Sequence, residues 1–199
     1  MTAVRIACVG DSITRGFFVA RRRTMSYPAQ LQRMLGEGYC VRGFGVNGHA
    51  VQQSADLPYR RSKEFALSTS FEPDIVLIML GTNDSRGHNW KGVAAFAADY
   101  RTLCEHYLSL ESGPRVWLLT PPALFRPAWS TSVPYGMDPA ALQDICGAIA
   151  DLARELGCGL IDINAVTAKH PEAFRLDGVH PGAAGATIIA TAVAEALRR

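Results

Sequence analysis

The sequence predicts an α/β protein: three layers, α/β/α, around one parallel five-stranded sheet. Short β-rich runs alternate with longer helical segments from end to end, which is the pattern of successive βαβ units. The run Asp74–Leu80 (DIVLIML) is continuously apolar, as a strand covered on both faces must be. Polar, glycine-bearing segments follow the first three strands, at the strand ends where open α/β sheets hold their ligands.

Each element has its own justification. Val4–Val9 (VRIACV) is β-rich and stops at a glycine. In Tyr27–Leu35 the residues Tyr27, Leu31, Met34 and Leu35 recur at helical spacing, Ser26 is the candidate N-cap, Pro28 suits the first turn, and Gly36 and Gly38 end the helix. Tyr39–Arg42 is a short second strand, and Leu57–Thr69 is weakly helical. After the buried third strand, Val93–Leu110 sets Phe96, Tyr100, Leu103 and Tyr107 on one helical face. Arg115–Leu119 is the fourth strand, and Thr120 to Gly136 is a loop rich in proline and aromatics. Pro139–Leu156 is a helix capped by Asp138 and closed by Gly157. Gly159–Ile163 is the fifth strand, and Gly182–Arg199 is the closing helix. Right-handed crossovers give the strand order 2-1-3-4-5.

The 199 residues suit one domain, 1–199, with a full core. With 48% apolar and 19% charged residues the chain is globular rather than disordered. A formal charge of +2, read as dispersed along the chain, argues against a nucleic-acid partner. The one dense basic run, Arg21-Arg22-Arg23, reads first as a solvated loop and second as a rim attracting anions. Five cysteines with no C-x-x-C spacing point to neither a disulfide framework nor a zinc site. His49, His88, His106 and His170 form no ligand pair, so no metal and no cofactor are expected. No apolar run is long enough to span a bilayer and no leader pattern is visible, so the chain is expected to be cytoplasmic with no membrane partner.

Four short segments carry the candidate chemistry. Ser12, in Gly10-Asp11-Ser12, follows the first strand. Alone it reads as a helix N-cap, and Thr14 stands where a Gly-x-Ser-x-Gly elbow would need its second glycine. Asp177 and His180 are three apart before the last helix, close enough for the carboxylate to hold Nδ1 and turn Nε2 toward a serine. A surface turn with an incidental histidine is the alternative. Asn83, in Gly81-Thr82-Asn83-Asp84, can donate its amide to a developing oxyanion, and Gly48 can offer an unobstructed N–H. With the N–H of Ser12 these make three donors. Ser12, His180 and Asp177 together are the parts of a nucleophilic hydrolase. Gly43-Phe44-Gly45-Val46-Asn47-Gly48 fits G-x-G-x-x-G, but no helix opens after it and no acid ends the next strand, so the match is accidental. Asp11, His49, Trp90, Phe125 and Trp129 are candidate substrate contacts. Trp90 reads equally as packing beneath the next helix.

Taken together, the four segments resemble the SGNH (GDSL) hydrolase family, in order and over almost the whole chain. The resemblance implies a flavodoxin-like fold and a cofactor-free serine esterase. Ser12 would be nucleophile, His180 base, Asp177 its partner, and Ser12, Gly48 and Asn83 the oxyanion hole. Gly81 to Ser85, followed by Asn89-Trp90, is similar to bacterial members that remove acetyl groups from sugars. The expected partner is therefore a small ester, an acetylated sugar first. A lysophospholipase or thioesterase acting on longer acyl chains is the second reading. A non-catalytic sugar- or nucleotide-binding module is the alternative from another class. The oligomeric state is not readable.

Overall fold

The computed structural model describes residues 3–198. Five parallel strands, β1 (Val4–Gly10), β2 (Tyr39–Gly45), β3 (Ile75–Met79), β4 (Arg115–Leu119) and β5 (Gly159–Ile161), form one sheet in the order 2-1-3-4-5. The expected fold class and strand order are both present. β2 continues through Gly43–Gly45, so the first two glycines of the accidental fingerprint lie inside a strand, and only Gly48 lies in the loop that follows.

Side chains alternate across the sheet and divide the core in two. On one face Val76 and Ile78 of β3 meet Phe96, Tyr100 and Leu103 of α5 (Val93–Leu108) and Ile145 and Ile149 of α6 (Pro139–Leu156). On the other, Ile75, Leu77 and Met79 meet Tyr27 and Leu31 of α3 (Tyr27–Leu35) and Ile189 and Val193 of α8 (Ala183–Leu197). Every residue of β3 is buried, which is why its sequence does not alternate.

The remaining helices are short: α1 (Ser12–Arg15), α2 (Arg22–Met25), α4 (Lys63–Ser70) and α7 (Ile163–Thr167). None of α1, α2 and α7 was expected. Each is too brief to show a period in sequence, and Asp11 and Asp162 nucleate α1 and α7 as side-chain caps. The weakly helical Leu57–Thr69 resolves into a single tight turn at Tyr59–Arg61 followed by α4. The expected closing helix reached Arg199, which lies outside the described residues. Among the described residues no helix is long and apolar enough to cross a membrane.

Candidate active site

β1 delivers its last residue, Gly10, between Gly45 of β2 and Met79 of β3, so three chain segments emerge side by side at one sheet edge. At Asp11 the chain turns at once into α1. The Asp11 carboxylate caps that helix, accepting from the Ile13 N–H at 2.8 Å. Ser12 is thereby fixed on the first turn, with its side chain facing the segment between α7 and α8.

That segment is a tight turn. Asp177 Oδ1 accepts the N–H groups of Val179 and His180, both at 3.0 Å. Gly178 between them has φ +69°, and a Cβ there would collide with the Phe125 carbonyl oxygen. The turn leaves Asp177 Oδ2 2.6 Å from His180 Nδ1, and His180 Nε2 3.0 Å from Ser12 Oγ. Burial raises the Asp177 pKa, but the His180 N–H, the imidazole and the Val179 N–H outweigh it and hold the carboxyl below its ordinary value. Tyr135, at φ +64°, donates its hydroxyl to the same Oδ2 at 3.1 Å. Phe17, Phe18 and Tyr135 set their rings edge-on to the imidazole, with centroids 5.2, 5.4 and 5.9 Å away.

Across the cavity stand Gly48 and Asn83. Gly48 has φ +77°, and among the described residues neither its N–H nor that of Ser12 donates to a protein group. Asn83 is buried. Its amide donates to the His49 carbonyl at 3.0 Å and lies 3.4 Å from Asp11 Oδ2, so one hydrogen is well held and the other only loosely. The Gly48 loop is tied down by Asp84, whose carboxylate accepts from the N–H groups of Val51 and Gln52 at 2.9 to 3.0 Å. Desolvation raises the pKa of Asp84 to about 6 and that of Asp11 to about 7.

The cavity holds about 300 Å³ and is bounded by Ser12, His180, Gly48 and Asn83, with Phe17, Phe18, Tyr135 and Met137 on the apolar side. Asn47 and Arg86 complete it. Asn47 Oδ1 and Arg86 Nε are buried without a hydrogen-bond partner among the described residues. A second groove, about 440 Å³, adjoins it and shares Phe18 and Tyr135. Its other walls include Asp177, Trp129, Leu176 and Arg175. The long loop that carries Tyr135 is pinned at both ends: Phe125 N–H donates to the Gly178 carbonyl, and Gly87 N–H to the Gly136 carbonyl.

Ser12, Asp177, His180, Gly48 and Asn83, distant in sequence, thus meet at one edge. Of the candidate substrate contacts, Trp129 lies in the adjoining groove, 68% exposed, with its indole N–H held by the Leu176 carbonyl at 3.1 Å. The other four do not line the cavity. Asp11 is 1% exposed and turned inward as the α1 cap. His49 directs its ring to the Asn47 carbonyl and gives its own carbonyl to Asn83. Trp90 packs against Phe96, beneath the following helix. Phe125 stacks on Phe174. Sequence reasoning missed Phe17, Phe18 and Arg86. The adjacent aromatics Phe17-Phe18, just after a helix too short to bury them, were a usable signal. The position of Arg86 in the cavity had none. Among the described residues no group of three or more His, Cys, Asp or Glu is placed to hold a metal ion.

Residues 8–188 match the GDSL-like lipase/acylhydrolase family. The chain belongs to that family. It is 32% identical over 213 aligned positions to an acetylxylan esterase of Xylanibacter ruminicola, a match covering 98% of this chain and 43% of the relative's length. The chain thus spans less than half of that relative. Among solved structures, a proposed arylesterase from Agrobacterium tumefaciens str. C58 superposes with TM-score 0.82 at 25% identity, covering 98% of each chain. A carbohydrate acetylesterase family member from Sinorhizobium meliloti superposes with TM-score 0.80 at 24% identity, covering 98% of this chain and 97% of the other. The last of these likenesses speaks to fold alone.

Proposed function

We propose that the chain is a serine esterase that removes small acyl groups, acetyl first, from hydroxylated alcohols of the carbohydrate class. The observation that carries this reading is the continuous relay from Ser12 Oγ through His180 to Asp177, with contacts of 3.0 and 2.6 Å. Ser12 Oγ attacks the ester carbonyl as His180 Nε2 takes its proton. Asp177 holds the imidazole with its proton on Nδ1 and stabilises the imidazolium. The oxyanion forms opposite the N–H groups of Ser12 and Gly48 and the Asn83 amide. One such donor is worth about 3–4 kcal/mol in the transition state. His180 then returns the proton to the leaving alkoxide, and water repeats the sequence on the acyl-enzyme.

This chemistry also orients the substrate. The leaving oxygen must lie at His180 Nε2 to be protonated, so the alcohol extends on the His180 and Asp177 side of the cavity. The adjoining groove opens there, with exposed Trp129, Phe18 and Tyr135 beside Arg175. Aromatic faces next to polar groups suit a sugar ring, which has an apolar C–H face and a polar edge. Asn47 and Arg86 add polar side chains to the cavity wall. The carbonyl oxygen faces Gly48 and Asn83, and the acyl substituent occupies what remains of a cavity of about 300 Å³, which favours a small acyl group. The likeness to an acetylxylan esterase supports the same substrate class.

A series of p-nitrophenyl esters of increasing acyl length, followed by acetylated mono- and oligosaccharides, tests the reading. Acetate should be cleaved fastest and released from sugars. A rate that climbs with acyl length, with no acetate released from any sugar, would assign a lipase or thioesterase instead.

A further inference from the structure

A concavity of about 550 Å³ lies away from Ser12, between α1, α2, α3 and the open edge of the sheet at β2. Five arginines line it: Arg15 at the end of α1, Arg22 and Arg23 on α2, Arg33 on α3 and Arg42 on β2. No aspartate or glutamate does. None of the five forms an ion pair among the described residues, where Arg5, Arg101 and Arg154 do. The whole chain carries a formal +2, so without these five charges the remainder stands at −3. The charge that reads as dispersed in sequence is therefore segregated in space, because α1, α2, α3 and β2 bring separated arginines to one hollow.

Arg33 is held in place, donating to the Thr24 carbonyl at 2.8 Å. Arg42 lines the rim but turns its guanidinium to the other face of the sheet, 5.0 Å from the centre of the Phe71 ring, so four arginines remain on the side of the hollow. Arg21, at φ +54°, takes a left-handed turn that starts α2 and brings Arg22 and Arg23 to the hollow. Charge on an edge strand also blocks edge-to-edge pairing, but that explains Arg42 alone, since the other four sit on helices. Four like charges around one hollow with no acidic residue in its lining raise the local positive potential and draw anions to it.

We propose that this hollow is a second binding site, separate from the ester-cleaving cavity, for a small polyanion bearing at least two phosphate or sulfate groups. A guanidinium pairs with such oxyanions through two parallel hydrogen bonds. A single monovalent anion would leave most of the four unmatched. The volume lies within the range of small-molecule sites, about 300–1,000 Å³. The proposal does not depend on the esterase reading.

The test is calorimetric titration of the full chain with inorganic pyrophosphate, and separately with a disulfated disaccharide. Acetate at matched ionic strength is the reference, and the Arg22→Gln/Arg23→Gln double variant is run in parallel. At least one of the two polyanions should bind saturably at one site and raise the melting temperature. The one that binds identifies the source of the oxyanions. The double variant should weaken binding by about tenfold or more, and added salt should weaken it further. Its far-UV spectrum and p-nitrophenyl acetate rate report that it is folded. The proposal is overturned if neither polyanion saturates, if acetate gives the same thermal shift, or if the double variant binds as tightly as the parent. It is equally overturned if only a long single-stranded oligonucleotide binds through these arginines.

Discussion

Replacing Asp177 by asparagine and by alanine should separate its two jobs, with activity and stability moving in opposite directions. Asp177 Oδ1 holds the Val179 and His180 N–H groups, and Oδ2 takes the imidazole and the Tyr135 hydroxyl. In Asp177→Asn the remaining oxygen can keep both backbone N–H groups, so the turn survives. The amide NH2 then faces His180 Nδ1. A donor there forces the imidazole to carry its proton on Nε2, toward Ser12, where it cannot act as base. Flipping the amide would restore the tautomer only by abandoning two backbone N–H groups. The same substitution in the serine-protease triad costs about 10⁴-fold in kcat, and a loss of that order is expected here. In Asp177→Ala the imidazole is free to choose its tautomer and is still walled in by Phe17, Phe18 and Tyr135. That variant should retain at least about tenfold more activity than the asparagine form. It should also be the less stable of the two, by about 1–3 kcal/mol for the N–H groups left without an acceptor. Initial rates on p-nitrophenyl acetate and urea melts of both proteins decide the matter. An asparagine variant as active as the alanine one, or less stable than it, would refute the reasoning.

Tyr135→Phe removes a donor that spreads the charge of Asp177; the carboxylate then stabilises the imidazolium more, and the acid limb of the pH–rate profile should move to higher pH, read from kcat/KM against pH. Gly178→Ala places a Cβ against the Phe125 carbonyl at φ +69°; it should cost about 1–3 kcal/mol or more in a urea melt and lower kcat by shifting Asp177 and His180 together. Asp11 titrates near its ordinary 3.8 when unfolded but at about 7 when folded. As pH rises from about 4 to about 7 the unfolded state releases this proton first, so stability should fall across that window and then level off. Asp84, at about 6, adds a decline of the same sign over a narrower window. Asp177, whose pKa is lowered, acts the other way: its contribution is present above 3.8 and is lost as pH falls through the folded value. Melting temperatures of the parent and Asp11→Asn against pH should show the Asp11 part of the decline shrink.

The long elements were legible because burial wrote them into the sequence. β3 is apolar throughout since both its faces are covered. α6 carries proline in its first turn, an aspartate cap and a terminal glycine, and its bounds agree with the sequence reading residue for residue. β2 was read three residues short, because Gly43 and Gly45 look like loop residues. They belong to the strand, and a Cβ on Gly45 would collide with the Arg15 backbone nitrogen where α1 crosses it. At the site, the candidate residues stood out because each follows a strand end or sits in an Asx turn, and both are local patterns. The walls of the site stood out only in part, through Trp129 on the aromatic loop. Tyr135 reaches Asp177 only because its loop is pinned by Gly87 and Phe125, and those pins join segments distant in sequence. Phe125 and Trp90 are aromatics near the motifs, but nearness in sequence could not tell a ring turned to the cavity from one turned to Phe174 or Phe96.

The most direct test of the central claim, that Ser12 is the attacking nucleophile, is covalent labelling by a fluorophosphonate followed by peptide mass mapping. The account predicts one adduct, on Ser12, formed in step with loss of esterase activity. The adduct should be absent from Ser12→Ala and form far more slowly in His180→Ala, while both variants melt as folded proteins. An adduct on another residue, or full ester hydrolysis by Ser12→Ala, would contradict it.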